Sequence, residues 1–376
     1  MTHRDTGTVL IAGASGLVGT AAAHAFLDNG WRVIAASRRK PELLAHRDCQ
    51  HLALDLQDSA ACRSAAHGLR NVTHVVYTAV YELPGLIQGW SDAEQISTNG
   101  QMLRNLLEPL AELAELQHVT ILQGTKAYGA AVQAMRVPGR ESQHRVEHPN
   151  FYWLHEDYIA DKAVRCGFGY TILRPQLIVG PNHGVVMNLP PVVGAYAALR
   201  HHEGLPFSYP GGADWVWEAV DVRLVGDACV WAATNDCAQG ETYNLTNGEV
   251  FMWRDMWPAI ADVLGVETGP DEPLSIAEYL SSRDGKWDEV VHKHDLQPIK
   301  LPALLGESHY YADMCFVCGA TEPPPPTFVS TVKIKQAGFT DTYNSEASFC
   351  HWLRDLQTRN VLPNLNGPIA ENANPR

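Results

Sequence analysis

A strand, a glycine-rich turn and a helix start follow one another near the beginning of the chain, and this order constrains the fold more than any other feature. Residues 8–12 are a short apolar run, and glycines stand at positions 13, 16 and 19. In such a loop Gly13 permits a tight turn, Gly16 lets a phosphate approach the backbone and Gly19 packs closely against the strand. The helix N-terminus then faces the anion. The pattern predicts a dinucleotide site rather than an incidental glycine turn.

Apolar strand-like runs alternate with helical stretches through the first 180 residues. This alternation predicts an α/β fold of the Rossmann type, a doubly wound parallel sheet of six or seven strands with helices on both faces. The clearest helical stretches are Thr20–Asn29 and Gln101–Leu116. The strand candidates are Thr8–Ala12, Arg32–Ala36, His51–Leu54, His74–Thr78, His118–Gln123 and Thr171–Arg174.

The pattern changes after residue 180, where prolines are frequent and the segments are irregular. We expect a dinucleotide-binding Rossmann domain over residues 1–180 and a smaller, mostly helical substrate-binding lobe over 181–376, with some segments returning to the Rossmann domain. The helical stretches of this lobe are predicted at Val192–His202, Trp253–Leu264, Ile276–Ser282 and Lys286–His294.

Composition excludes several classes of protein. The formal net charge is −14, without a basic stripe, so a nucleic-acid partner is not expected. The first residues lack the apolar core of a signal peptide, and no apolar run is long enough to cross a membrane. Cys315 and Cys318 form a CxxC pair without a second pair, which favours ordinary cysteines over a metal site. A cytoplasmic protein without metal is expected.

The end of the second predicted strand distinguishes the two nicotinamide cofactors. NAD enzymes place Asp or Glu there to hold the ribose hydroxyls. This chain instead has Ser37, Arg38 and Arg39, which can bind a 2′-phosphate through charge-assisted hydrogen bonds. The alternative is a solvated basic turn. The position favours NADPH as the cofactor.

Further cofactor contacts are predicted from position alone. Residues of the glycine loop, of the loops after the later strands and of one stretch of the second lobe are expected to line the dinucleotide. They are Ser15, Leu17, Val18, Asp55, Leu56, Thr78, Ala79, Gln123, Pro175, Ile178, Val185, Val186 and Met187.

A YxxxK sequence on one helix can place a lysine beside a catalytic tyrosine and lower the pKa of its phenol. The one literal match in this chain, Tyr158 to Lys162, is interpreted as a match without catalytic function. The helix that contains it should begin soon after Pro149 and end before Gly167. Helices of a doubly wound sheet begin at the ligand-binding edge, so Tyr152 falls beside the site. Tyr158 lies six residues further, about 9 Å along the axis. Lys162 is then expected to be a solvated residue of the last turn.

The lysine position relative to Tyr152 is occupied by Glu156. The cation that supports a catalytic phenol must therefore come from elsewhere. Lys126 follows the strand candidate His118–Gln123, again at the ligand-binding edge. Lys126 is therefore the candidate for the cation that supports Tyr152.

At these residues the chain resembles the progesterone 5β-reductase/iridoid synthase group of atypical extended short-chain dehydrogenases/reductases. Residues 150–157, NFYWLHED, are similar to the NFYYxxED motif of that group, and residues 124–129, GTKAYG, to its G-x-KHY-x-G motif. The resemblance implies that Lys126 and Tyr152 are catalytic, that NADPH donates the hydride and that enones or enals are substrates. Trp153 and Ala127 depart from the motifs, which leaves the substrate open.

The resemblance implies a 1,4-reduction in which the phenol, backed by an ammonium, stabilises an enolate oxygen. A small hydrophobic carbonyl compound is the expected partner, with a homodimer left open. Three alternatives stay open: a 1,2-carbonyl reductase, an enzyme similar to nucleotide-sugar epimerases and a non-catalytic NADP sensor. The predicted substrate pocket, for which ordinary core is the alternative, comprises Tyr128, Trp153, Phe207 and Trp215.

Overall fold

The computed structural model describes residues 6–85 and 88–365, with Gln88 described through its backbone only. These residues fall into two compact units. The first contains the chain up to residue 178 together with 218–249 and 325–343, and the second contains 179–217, 250–324 and the chain from 344 onward. Two later segments therefore belong to the same unit as the first 178 residues.

The first unit is built on a seven-stranded sheet with the order β7-β6-β5-β4-β1-β2-β3. Every neighbouring pair of strands is parallel, so all carboxyl ends lie at one edge of the sheet. The strands are β1 Thr8–Ala12, β2 Arg32–Ser37, β3 Gln50–Ala53, β4 His74–Tyr77, β5 His118–Leu122, β6 Gly169–Pro175 and β7 Glu241–Leu245.

Helices cover both faces of this sheet. The helices of the first unit are α1 Leu17–Asp28, α2 Ser59–Ala66, α3 Ala93–Leu113, α4 Phe151–Cys166, α5 Val222–Thr234 and α6 Val332–Gln336. Buried side chains of α2, α3 and α4 form the core on one face. Those of α1, α5 and α6 form it on the other. The expected Rossmann-type doubly wound sheet is confirmed.

The ends of α4 follow from local chemistry. The Asn150 side chain accepts a hydrogen bond from the Tyr152 amide at 3.0 Å, which caps the first turn. Gly167 ends the helix at φ 78°, a left-handed conformation that favours glycine. Both ends agree with the predicted limits after Pro149 and before Gly167. The cap places Tyr152 in the first turn, at the carboxyl edge of the sheet.

The second unit is mostly helical, as expected. Its core is rich in aromatic rings, among them Trp253, Trp257, Phe316 and Phe349. Its helices are Leu189–His202, Trp253–Leu264, Ile276–Ser281, Asp284–Lys293, Leu301–Leu305, Ser308–Cys315 and Ser345–Thr358.

The described chain also has short elements outside the main sheet and the helices. Short strands span Ile178–Val179, Val216–Glu218, Val220–Asp221 and Val250–Met252. Single 3-10 turns span Glu42–Leu44, Gln88–Ser91, Thr125–Tyr128 and Asp236–Ala238.

Two features are absent from residues 6–85 and 88–365. Within these ranges no helix combines the length and apolar character that a membrane crossing requires. The same ranges hold no cluster of three His, Cys, Asp or Glu side chains placed to bind a metal ion. Cys315 and Cys318 are both free thiols, and Cys315 is buried at the end of its helix.

Candidate active site

The glycine turn after β1 is closely packed. Gly13 has a φ of 87°, and a Cβ built on it would stand 2.7 Å from the Ala79 nitrogen at the end of β4. Its amide donates a 2.9 Å hydrogen bond to the Ala36 carbonyl of β2. A Cβ on Gly19 would overlap the Gly13 carbonyl oxygen. Both positions therefore require glycine, as the sequence pattern predicts.

The N-terminus of α1 suits an anion. Gly16 is the cap residue and carries no side chain that could accept from the first-turn amides, and the turn that begins at Leu17 contains no acidic residue. A Cβ on Gly16 would come closest to the Gly13 oxygen, at 3.3 Å, with no other atom of the described chain within 4 Å. Ser15, Leu17 and Val18 lie in this same turn. The donors and the positive end of the helix dipole fit a dinucleotide pyrophosphate.

The basic residues after β2 lie at the same edge of the sheet. Ser37 is buried, and its hydroxyl donates a 2.7 Å hydrogen bond to the Arg39 carbonyl, which turns the chain as it leaves the strand. Arg38 and Arg39 are exposed. Their guanidinium groups are therefore accessible to an anion at the carboxyl end of β2, where a dinucleotide fold places the adenosine ribose.

The loops after β3 and β4 carry four of the residues that were predicted to line the dinucleotide. Asp55 is exposed, and its Oδ1 accepts a 3.0 Å hydrogen bond from the Gln57 amide, whereas Leu56 is buried. Thr78 donates a 2.9 Å hydrogen bond to the Ala12 carbonyl and so joins the end of β4 to the end of β1. Ala79 follows beside Gly13. Their predicted contacts with the cofactor stay predictions.

Lys126 lies in the single 3-10 turn that follows β5. Its ammonium nitrogen lies 3.9 Å from the centroid of the Trp90 ring, which is a cation–π contact. Burial lowers the pKa of Lys126 to about 8, and the charge of Glu82 opposes this shift. Trp90 and Glu82 belong to the segment between β4 and α3, and no sequence signal marked them as site residues.

Tyr152 is brought close to the turn that carries Lys126. Its hydroxyl oxygen lies 3.5 Å from the position of a Cβ built on Gly124, the cap residue of that turn. The Pro175 carbonyl oxygen lies at the same distance from that position. Burial raises the pKa of the Tyr152 phenol, Glu82 raises it further and Arg174 lowers it. The phenol is therefore protonated at neutral pH.

Tyr158 and Lys162 both bind Glu108 of α3. The Tyr158 hydroxyl donates a 3.0 Å hydrogen bond to one Glu108 oxygen of α3, and the Lys162 ammonium binds the other at 2.5 Å. Both residues are buried. The expectation that Lys162 is solvated is therefore wrong, because a carboxylate on the neighbouring helix compensates its burial. The YxxxK residues join α3 to α4.

Glu156, at the lysine position of the broken motif, is paired with two arginines. Arg174 donates to Glu156 Oε1 at 2.7 Å, and Arg145 donates to Oε2 at 2.8 Å. Arg174 also donates a 3.0 Å hydrogen bond to the Gln123 side-chain oxygen. Gln123 was predicted as a cofactor contact, and that role stays a prediction. No sequence signal marked Arg174 or Arg145, which lie 18 and 11 residues from Glu156.

Two of the predicted pocket residues lie in the first unit. Tyr128 is buried, and its hydroxyl donates a 2.6 Å hydrogen bond to the Asn244 side chain. Trp153 is partly buried, and its indole nitrogen donates to the His148 carbonyl at 3.2 Å. Trp153 directly follows Tyr152 in the first turn of α4. Both hydroxyl and indole donors are thus used within the protein.

The remaining predicted contacts divide between the units. In the first, Pro175 is buried at the end of β6 and Ile178 is partly buried. In the second, the Phe207 ring stacks on Trp257 with centroids 4.3 Å apart and is 1% exposed, which favours ordinary core over pocket. The other residues of the second unit, whose predicted roles stay predictions, are Val185, Val186, Met187 and Trp215.

The chain is similar to known proteins along most of its length. The sequence pattern of the NAD dependent epimerase/dehydratase family matches residues 9–246. The (S)-8-oxocitronellyl enol synthase of Antirrhinum majus is 31% identical over 372 residues, which cover 93% of this chain and 92% of that protein. The 3-oxo-Δ4,5-steroid 5β-reductase of Arabidopsis thaliana is 29% identical over 375 residues, covering 94% and 92%.

Solved structures agree on the fold. The UDP-glucose 4-epimerase of Thermus thermophilus, solved in complex with NAD, superposes with a TM-score of 0.62 at 17% identity. The match covers 93% of this chain and 99% of that protein. At this identity the likeness establishes the architecture only, and function must be argued from the site.

Proposed function

Because the chain belongs to the NAD-dependent epimerase/dehydratase family, we propose that it is an oxidoreductase that uses NADPH to reduce the C=C bond of conjugated enones or enals. The names of two relatives support this reaction class, since one is a steroid 5β-reductase and the other an oxocitronellyl enol synthase. The substrate proposed is a small hydrophobic carbonyl compound, because Trp153 offers an apolar ring beside Tyr152.

The residues that would hold NADPH follow from the site. The glycine turn and the first turn of α1 suit the pyrophosphate, with Gly13, Gly16 and Gly19 giving the space. Arg38 and Arg39 suit the 2′-phosphate, since both are exposed cations where NAD enzymes place a carboxylate. When bound, NADPH supplies the hydride that the β-carbon of the substrate receives.

The protein's own groups stabilise the charge that develops on the substrate. The Tyr152 phenol donates a hydrogen bond to the carbonyl oxygen, where enolate charge builds up. The Lys126 ammonium, in the neighbouring turn, lowers the energy of that charge electrostatically. Because burial raises the pKa of Tyr152, the phenol stays protonated and acts as a hydrogen-bond donor. The α-carbon takes its proton from solvent.

One observation carries the proposal: the Tyr152 hydroxyl lies beside Gly124, at the start of the turn that holds Lys126. The tyrosine and lysine of the literal YxxxK sequence are instead bound to Glu108. A nucleotide-sugar epimerase needs the tyrosine and lysine of a conventional YxxxK at the catalytic edge. The arrangement therefore supports a relocated catalytic pair and not an epimerase.

The test is a set of NADPH oxidation assays with matched substrates. The purified protein is given 2-cyclohexen-1-one, a 3-oxo-Δ4 steroid, cyclohexanone and a saturated aldehyde, and each product is identified. We expect turnover of the enones to saturated ketones and none of cyclohexanone. Tyr152→Phe is the control for the site. Reduction of cyclohexanone at a rate equal to that of the enone would replace this proposal with a 1,2-carbonyl reductase.

A further inference from the structure

Glu156 stands where the YxxxK pattern, counted from Tyr152, has its lysine, and arginines bind its carboxylate on both sides. Oε1 accepts from Arg174 at 2.7 Å and Oε2 from Arg145 at 2.8 Å. The side chains of Arg174 and Glu156 are 8% and 12% exposed. A lysine here would place its ammonium against two guanidinium groups. This position therefore requires an anion, and the catalytic cation must lie elsewhere.

Arg174 extends this contact to the turn that carries the phenol. Its Nε donates a 3.0 Å hydrogen bond to the Gln123 side-chain oxygen. The Gln123 amide nitrogen then donates to the Tyr152 carbonyl at 3.3 Å. Because oxygen and nitrogen of this amide are both engaged, its orientation is determined. Glu156, Arg174 and Gln123 thus connect the second turn of α4 back to its first turn by way of β6 and the end of β5.

Arg174 also acts on the phenol by charge. Its guanidinium lowers the pKa of Tyr152, against the effect of burial. Removing the partner of a buried ion pair leaves an uncompensated charge and is strongly destabilising. Glu156 is the partner of Arg174, because its Oε1 accepts directly from the guanidinium. Without this carboxylate, Arg174 would reorient toward other acceptors or solvent, and Gln123 would lose its donor.

We propose that Glu156 is a positioning residue: it holds Arg174, and through Gln123 it holds the turn that presents the Tyr152 phenol to the substrate. The inference rests on the proposed function, in which Tyr152 donates to the substrate oxygen. Displacing such a donor by about 1 Å can lower the rate by about 10²-fold. Both carboxylate oxygens of Glu156 are bound by arginines, so its proposed role is exerted through Arg174.

The first test measures the position of the Tyr152 ring without using catalysis. The protein is labelled with 3-fluorotyrosine, and the ¹⁹F resonance of Tyr152 is identified by its loss in Tyr152→Phe. Glu156→Gln, which keeps the shape and removes the charge, should shift or broaden that resonance. The control is Asp161→Asn, which breaks an exposed ion pair with Arg165 on the same helix. It should leave the Tyr152 resonance unchanged.

The second test is kinetic and uses the full-length protein with NADPH and 2-cyclohexen-1-one. Glu156→Gln should lower kcat about tenfold while the KM for NADPH changes less than about twofold, because orientation and not binding is affected. Glu156→Asp keeps the charge and should recover part of the loss. It also serves as the variant if Glu156→Gln does not fold. Asp161→Asn should retain the kcat of the unmodified protein.

The outcomes separate this inference from the proposed function. If the unmodified protein reduces no enone, the proposed function fails, and the ¹⁹F experiment still decides whether Glu156 positions Tyr152. An unchanged Tyr152 resonance in Glu156→Gln, or an equal shift in Asp161→Asn, overturns the inference. An unchanged kcat in Glu156→Gln, with active unmodified protein, overturns it as well.

Discussion

Tyr158 donates a 3.0 Å hydrogen bond from its hydroxyl to Glu108 on the neighbouring helix, so the tyrosine of the one literal YxxxK sequence is engaged away from the proposed site. Tyr152, six residues earlier, reaches the turn of Lys126 instead. Spacing alone would select Tyr158, whereas we propose Tyr152 as the catalytic tyrosine. The relation of each phenol to its nearest polar neighbours distinguishes them.

The first prediction compares these two tyrosines. Tyr152→Phe should lower kcat about 10²-fold or more, the range typical for loss of a donor to a developing oxyanion. Tyr158→Phe should leave kcat within about twofold and reduce the free energy of unfolding by about 1 kcal/mol, through the lost hydrogen bond to Glu108. Steady-state kinetics and urea unfolding measure the two effects. If Tyr158→Phe is the inactive variant, the assignment of Tyr152 is wrong.

The second prediction concerns the choice of cofactor. NADPH should bind about tenfold more tightly than NADH or better, equivalent to about 1.4 kcal/mol. Replacing Arg38 and Arg39 by alanine should remove most of this difference, because both cations would face the 2′-phosphate. Arg32→Ala is the matched control, since Arg32 is an exposed arginine at the opposite end of β2. Titration calorimetry with both cofactors is the measurement. Equal affinities in the unmodified protein would contradict the assignment.

The third prediction is a dependence of the rate on pH. Lys126 has a pKa lowered by burial to about 8, so its ammonium loses the proton as the pH rises through that value. Since the charged form stabilises the enolate, kcat/KM should be highest below about pH 8 and fall above it. Lys126→Arg keeps its charge in this range and should move the alkaline limb upward. A limb that stays at the same pH in Lys126→Arg excludes Lys126 as its origin.

The fourth prediction identifies the reacting carbon. With (4-²H)-NADPH and an enone, deuterium should appear at the β-carbon of a product that retains its carbonyl group. The reason is that the phenol and ammonium stabilise charge on oxygen while hydride enters two carbons away. Mass spectrometry and NMR of the product locate the label. Deuterium at a carbinol carbon across several enones would show a 1,2-reduction.

Local signals were sufficient where an element is defined by its own residues. Strand β1 was predicted with both of its ends. The predicted limits of α4, after Pro149 and before Gly167, agree with its observed cap at Asn150 and its left-handed Gly167. Helix α3 was predicted from Gln101 and begins at Ala93. Its first residues are polar and include Gly100, a poor helix former that packs against Leu154 of α4.

The sequence did not predict residues whose surroundings depend on side chains of other elements. Lys162 had the position of a solvated lysine, and its burial depends on Glu108, 54 residues away in sequence. The Trp90 ring makes a cation–π contact with the Lys126 ammonium. No local sequence pattern predicts this contact. In the sequence Glu156 only interrupts the YxxxK pattern counted from Tyr152. The contact with Arg174 explains why a carboxylate stands at this position. The side-chain contacts between different elements could therefore not be predicted from the sequence.

The pairing of β7 with β6 has a consequence for how the chain is made. About 65 residues separate the end of β6 from the start of β7, so a ribosome working at about 5–20 residues per second takes about 3 to 13 seconds to supply the partner strand. During that interval β6 is an unpaired edge, open to other nascent chains. A fragment that stops near residue 180 keeps this edge permanently, and it also lacks α5, which packs on α1. The sheet of the first unit is thus completed only after residues 179–217 of the second unit have been synthesised.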